Sequence, residues 1–298
     1  MPTTIMGILN LTPDSFSDGG RFDDGAGSPD VVAAVTEALR MAQLGAEIID
    51  VGGESTRPGA RPTPAEEEQR RILPVLGELL RCRMSVSVDT RRAATALAAL
   101  KCADEAGADP RSLIINDVSG LLTEPAMPEL IAETGAQIVI THNRGDSQTM
   151  SSLTVYDSLV EDVIDELLQL RERYLAAGAR REQIILDPGI GFSKTHEQNW
   201  ELIRELESFV RLGHRVLFGA SRKGFLGSVV GEPTGGREPD AGSGDAAAAG
   251  AAHPLAHPRD HATAVLSALA AQAGAWGVRV HDVQGSRDAV QVISKLRS

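Results

Sequence analysis

Short runs of aliphatic and β-branched residues recur along the chain at 5–10, 48–52, 85–89, 113–117, 137–142, 183–187, 215–219 and 277–281, and most of them close on a polar residue. Nearly continuous apolar runs of this length suit parallel strands covered on both faces. Longer stretches with helical spacing lie between them. Val31, Val32, Val35, Leu39 and Ala42 form one such set, and Val160, Val163, Ile164, Leu167 and Leu168 another. The Ala/Leu-rich stretch 263–273 predicts a helix covered by its neighbours. Eight strand-then-helix units predict an α/β fold, a closed (β/α)8 TIM barrel forming a single domain over 1–298. A doubly wound open sheet is the alternative.

One segment breaks the alternation. Residues 232–258 are rich in Gly, Ala and Pro with almost no large apolar side chain, which predicts a flexible insertion and not a domain boundary, since the eighth strand follows it. Composition adds bounds. The 298 residues are 42% hydrophobic and 23% charged, an ordinary globular balance, but only 3% aromatic, so the core must rest on Leu, Val, Ile and Ala. A formal charge of −12 without a basic run argues against nucleic acid as a partner. Cys82 and Cys102 form no CxxC pair and suggest neither a disulfide framework nor a zinc site. The N-terminal residues do not read as a signal peptide, and no apolar run is long enough to span a membrane. Together these features lead us to expect a cytoplasmic protein.

Barrel active sites gather at the C-terminal ends of the strands. Here those ends carry Asn10, Gly52-Gly53-Glu54, Asp89, Asn116-Asp117, His142-Asn143, Asp187, Ser221-Arg222-Lys223, and Arg279 with His281. Asp89, Asn116 and Asp187 suit the edge of a flat heterocycle bearing amino and amide N–H groups. Two buried carboxylates need a cation, and Lys223 is the expected companion. Arg279 and His281, two apart on one strand, share a face and suit a phosphate group. Two polar loops follow the first strands, one containing Phe16 and the other Arg57, and both suit closure over substrate.

Seven stretches carry a resemblance: MGILNLTPDSFSDGG (6–20), GAEIIDVGGESTRPGA (45–60), SVDT (87–90), INDVSG (115–120), LDPGIGFSKT (186–195), GASRKGFLG (219–227) and RVHDV (279–283). Together, and in this order, they resemble the dihydropteroate synthase family over nearly the whole chain outside the Ala/Gly-rich insertion. The resemblance implies condensation of 6-hydroxymethyl-7,8-dihydropterin diphosphate with 4-aminobenzoate to give 7,8-dihydropteroate and pyrophosphate, in folate biosynthesis. It implies an SN1-like course, with diphosphate leaving before the amine attacks. It also implies that Asp89, Asn116, Asp187 and Lys223 bind the pterin and that Arg279 and His281, helped by Thr56, hold the diphosphate. Phe16, Arg57, Pro58, Phe192 and Ser221 would surround the aminobenzoate, where sulfonamides act in this family, and Asn10 would hold Mg2+. Asp89, Asp187, Lys223, Arg279 and His281 are thus the expected catalytic group, and a homodimer through outer helices near the last units is implied. Two positions depart from the family pattern: Thr141 stands where Met is common, and His261 where a small residue is common. Another pterin-binding barrel that transfers methyl groups, or a catalytically silent paralogue, are the alternatives.

Overall fold

The computed structural model describes residues 2–12, 30–55, 59–231 and 257–297. Eight parallel strands close into a barrel in chain order: β1 (Thr4–Asn10), β2 (Ile48–Gly52), β3 (Val86–Asp89), β4 (Ile114–Asp117), β5 (Gln137–Thr141), β6 (Ile184–Asp187), β7 (Arg215–Phe218) and β8 (Gly277–Val280). The open-sheet alternative is thereby excluded: β8 pairs with β1, Met6 lying opposite Arg279. Each predicted strand lies within one residue of its observed bounds. The differences fall at the ends, where Ser85, Leu113, Gln183, His142, Gly219 and His281 are left out of the strands and Thr4 joins β1.

The outer layer contains α1 (Val31–Leu44), α2 (Ala65–Arg81), α3 (Ala93–Glu105), α4 (Ala126–Thr134), α5 (Leu159–Ala176), α6 (His196–Arg204), α7 (Leu206–Val210), α8 (Asp260–Ala273) and α9 (Val283–Arg297). Local chemistry sets their ends. Asp30 caps α1 by accepting from the Ala33 N–H at 2.9 Å, and Gly45 stops it in the left-handed region (φ 109°). Thr195 and Gln198 form a reciprocal capping box at the start of α6.

Two helical faces differ from the sequence expectation. In α1 the barrel-facing residues are Ala34, Ala38 and Met41, whereas Val32 and Leu39 are exposed and Ala42 lies outside. Small alanines let the helix backbone approach the sheet closely, so the larger aliphatics are displaced to the flank. In α8, Leu266, Ala270 and Ala271 are buried, but Val265 and Leu269 remain exposed, so the described residues cover only one side of the helix.

The main core lies between the barrel and the helices and includes Ile72, Leu76, Leu79, Leu167 and Phe209. Truncating any of these to Ala would cost about 2–5 kcal/mol. A second cluster (Met6, Ile48, Ile114, Val139, Ile185 and Leu217) fills the barrel interior toward its N-terminal end, with Trp276 against it. Strand alternation then fixes what lies above that plug. The next inward positions are Ile8, Asp50, Asn116, Thr141, Asp187, Gly219 and Arg279. The barrel is therefore apolar below and polar above. Among the described residues no helix is long and apolar enough to cross a membrane.

Candidate active site

A cavity of about 520 Å³ opens at the C-terminal mouth of the barrel. It brings together Asn10 from β1, Asp89 from β3, Asn116 from β4, Asp187 from β6, Phe192 from the following turn, Ser221 and Lys223 beyond β7, and Arg279 and His281 from the β8 end. Phe16, Thr56, Arg57 and Pro58 lie outside the described residues. Glu54, two residues before Thr56, is buried and held by Arg91 (2.5 Å) and Arg92.

Arg279 is the centre of the polar floor. Its Nε donates to Asp50 Oδ2 at 2.6 Å and its Nη2 to Asp89 Oδ2 at 2.7 Å. The same Asp50 oxygen accepts from Asn116 Nδ2 at 3.3 Å. Asp50 is fully buried, and its place in mid-strand, away from the polar strand ends, gives no sign of this role in the sequence. Burial pushes the Asp89 carboxyl up to about 7, against the opposing pull of Arg279, with Asp50 adding to the rise. The division of cations therefore differs from the expectation that Lys223 would be the companion of both carboxylates. Asp89 pairs directly with Arg279, and Lys223 acts mainly on Asp187.

Several inward atoms on this floor have no hydrogen-bond partner among the described residues: Asp50 Oδ1, Ser87 Oγ, Asn116 Oδ1 and Thr141 Oγ1. Buried polar atoms are rarely left this way in a native protein. Three of the four strands concerned are consecutive, β2 to β4, and Thr141 lies beside Asp187 in the β5–β6 register. Asp187 itself accepts from the Gly189 N–H at 2.7 Å through Oδ1. Its pKa is raised by burial, with Lys223 pulling the other way.

On the opposite wall, Lys223 Nζ donates to the Ile190 carbonyl and lies 4.1 Å above the Phe192 ring, a cation–π contact. Burial lowers its pKa to about 8 while Asp187 resists the change. Arg222, just before it, adopts a left-handed backbone (φ 57°) and is tied to Asp260 Oδ1 at 2.7 Å. That bond fixes the bend which turns Ser221 and Lys223 into the cavity. Ser221 Oγ is 2.9 Å from His281 Nδ1 and accepts from the His281 N–H at 3.1 Å. Of segment 232–258 only His257 and Pro258 are described, and His257 lines the cavity, so the end of that segment belongs to the site. His261 lies exposed in the first turn of α8.

The turn after β6 carries a second buried network. Lys194 Nζ donates to His142 Nδ1 (2.9 Å) and to the carbonyls of Gly189 (3.0 Å) and Phe192 (2.9 Å). His142 Nε2 contacts Glu166 Oε2 at 2.9 Å, and Arg144 binds the same carboxylate. Lys194 falls within the stretch LDPGIGFSKT (186–195), but nothing in the sequence gives it a task.

Among the described residues no group of three or more His, Cys, Asp or Glu side chains is placed to hold a metal ion. Asn10 lines the cavity. One amide oxygen of this kind fits an ion that arrives with an anionic ligand and keeps much of its water, as Mg2+ does, and does not fit a caged protein metal.

The pterin-binding enzyme family matches residues 6–281. The dihydropteroate synthase of Mycobacterium leprae is 43% identical over 293 residues, covering 98% of this chain and 93% of that protein. The crystal structure of a Clostridium difficile dihydropteroate synthase with pteroic acid matches with a TM-score of 0.80 at 35% identity, covering 99% of this chain and 97% of that one. A Yersinia pestis dihydropteroate synthase in complex with a sulfonamide drug matches with a TM-score of 0.81 at 33% identity, covering 99% and 94%. With the same barrel, and with matches that run through every strand end lining its mouth, the chain belongs to the pterin-binding enzymes and, within them, to the dihydropteroate synthase family.

Proposed function

We infer that this chain joins 6-hydroxymethyl-7,8-dihydropterin diphosphate to 4-aminobenzoate, yielding 7,8-dihydropteroate and pyrophosphate for folate synthesis. One observation carries the reading. Asp50 Oδ1 and Asn116 Oδ1, buried acceptors with no partner among the described residues, lie on the floor beneath the cavity that brings Asp89 and Asp187 together with Arg279, His281 and Lys223. A ring edged with N–H donors satisfies the first group, and a leaving anion satisfies the second.

The Asn116 amide points its Nδ2 at Asp50, which leaves Oδ1 to accept from a ring N–H. Asp187 Oδ1 is occupied by Gly189, so Oδ2 is the oxygen left for the ligand. The exocyclic C–O bond breaks with its electron pair leaving on the diphosphate. Arg279 and His281 meet that charge as it grows, with Lys223 at the pterin beside them, and donors fixed in advance contribute about 3–4 kcal/mol each in such roles. Positive charge spreads into the ring, beside Asp89 and Asp187. The neutral amine of 4-aminobenzoate attacks the methylene carbon, a C–N bond forms, and the amine proton is released. Phe192 and Ser221 bound the aminobenzoate side, where a sulfonamide competes. Asn10 would hold Mg2+ against the diphosphate, where the ion supplies Lewis-acid stabilisation of the departing oxygens. Barrels that transfer a methyl group have no departing diphosphate to hold, so Arg279 on β8 and His281 just beyond it favour the condensation.

The deciding experiment is a pyrophosphate-release assay on purified protein. Release that requires the pterin diphosphate, 4-aminobenzoate and Mg2+ together is expected. No release with all three present identifies a silent paralogue, and release without added metal removes Mg2+. The exposed Val265 and Leu269 on α8 and Val292 on α9, two helices that pack on one another, support a homodimer through this face. Sedimentation at a single-chain mass would refute it. The free thiols Cys82 and Cys102 support a cytoplasmic location, which cell fractionation tests.

A further inference from the structure

The turn that carries Phe192 is a conformation the chain would not hold unaided. Gly189 (φ 70°), Gly191 (φ 83°) and Ser193 (φ 48°) all occupy the left-handed region, and the serine does so without glycine's freedom. The turn is also pressed against its surroundings. A Cβ on Gly189 would fall 1.9 Å from the His142 carbonyl oxygen, and one on Gly191 would fall 2.4 Å from Lys223 Cδ. A side-chain donor must fix its carbonyls, and the Lys194 ammonium, folded back onto the turn, touches two of them.

The protonation of Lys194 follows from its neighbours. Hydrogen bonds from His142 and Arg144 outweigh burial and hold the Glu166 carboxyl at about 2, so it is an acceptor only. The Nε2 of His142 must therefore carry a proton and donate it to Glu166. Burial, with Lys194 beside it, lowers the imidazole pKa to about 4, so the ring is neutral and its Nδ1 is an acceptor. Lys194 then faces three acceptors: Nδ1 and two carbonyls. Only the ammonium form has three N–H groups to match them. Burial and Lys223 pull the Lys194 pKa well below the ordinary lysine value, Asp187 and Glu166 pull it back up, and the three converging acceptors hold the third proton in place.

We propose that Lys194 is a positioning residue of the active site: its ammonium, set between His142 and the 187–195 turn, fixes the carbonyls that place the Phe192 ring and, through the adjacent Ile190 carbonyl, the Lys223 ammonium. The proposal rests on the reading of Phe192 and Lys223 as substrate contacts. Neither of those side chains touches Lys194 through its own polar atoms. The influence passes through the backbone, from Gly189 and Phe192 to Ile190 and Gly191, which packs on the Lys223 stem. A residue that only stabilised the fold would change the melting temperature and leave substrate constants alone.

The test is Lys194→Met, which keeps the length of the stem and removes every donor, assayed beside the wild type for pyrophosphate release. The expected result is a KM for 4-aminobenzoate raised at least about tenfold, equivalent to about 1.4 kcal/mol, and a pterin-diphosphate affinity weakened less. Lys194→Gln retains two N–H groups and should recover part of the loss. Both constants within about twofold of wild type would overturn the proposal, whatever the melting temperature does. If neither variant folds, the wild-type protein still decides, because the 15N shifts of His142 must report an unprotonated Nδ1 and a protonated Nε2, and the reverse tautomer overturns the proposal. An inactive wild type would instead sink the condensation reading and leave the tautomer measurement standing.

Discussion

Replacing Arg279 with Met removes a guanidinium that serves two buried carboxylates at 2.6 and 2.7 Å while keeping most of the stem volume. Removing one partner of a buried ion pair costs about 3–5 kcal/mol when the partner left behind stays charged. Here Asp50 and Asp89 would face each other with no cation between them. For a domain of this size each kcal/mol corresponds to roughly 2 °C, so at pH about 8 the variant should melt roughly 6–10 °C below wild type. The loss should shrink as pH falls. The Asp89 carboxyl already sits at about 7 with Arg279 present, and its pKa rises further without it. A carboxyl whose folded pKa exceeds its unfolded value takes up protons on folding. Its contribution is complete below the unfolded pKa and is lost as pH rises through the folded one, so the variant gains more than wild type at pH about 6. Thermal melts at the two pH values, paired with kcat/KM for pyrophosphate release, test this. The catalytic loss should be about 100-fold or more, since the charge missing in the transition state is also missing in the folded protein. An equal melting shift at both pH values, or unchanged kinetics, would refute the account of Arg279 as both brace and anion contact.

Other outcomes follow from the same floor. Asp187→Asn can keep its bond to the Gly189 N–H but loses the charge and the second acceptor, so calorimetry should show pterin affinity reduced about 10- to 100-fold; retained tight binding would remove Asp187 from the ring contact. The profile of kcat/KM should be bell-shaped, rising through about pH 7 as Asp89 loses its proton and falling above about 8 as Lys223 loses its own; a flat profile between pH about 6 and 9 would contradict these assignments. Thr141→Val removes a buried hydroxyl with no partner among the described residues, so the ligand-free protein should gain about 1 kcal/mol and melt roughly 2 °C higher; a lower melting temperature would mean that the hydroxyl is in fact paired.

The strands were legible because burial on both faces writes them as unbroken apolar runs, and their polar ends pointed to the mouth of the barrel. Periodicity misled at α1, where Val32 and Leu39 look like core and are exposed, while Ala34 and Ala38 look neutral and face the barrel. Apolar character says that a side chain tolerates burial, not that it is buried. Asp50 was missed because a carboxylate in the middle of an apolar strand gives no local sign of purpose. Its partner Arg279 is 229 residues away and arrives beside it only when β8 closes against β1. Lys194 was hidden in the same way, since the histidine that gives it meaning lies 52 residues earlier. The residues of the cavity could be named from strand ends, but their pairing required the closed barrel.

The acceptors left open on the barrel floor also bear on which molecules the mouth would refuse. An analogue carrying a methyl group on the ring nitrogen or amino group that should face Asn116 or Asp187 would shut an oxygen away from water with nothing to bond it. Each such mismatch costs about 1–3 kcal/mol. Two together would exclude a molecule of nearly the right size by a factor on the order of 100 or more, so discrimination among flat heterocycles would depend on where their hydrogens lie far more than on their bulk.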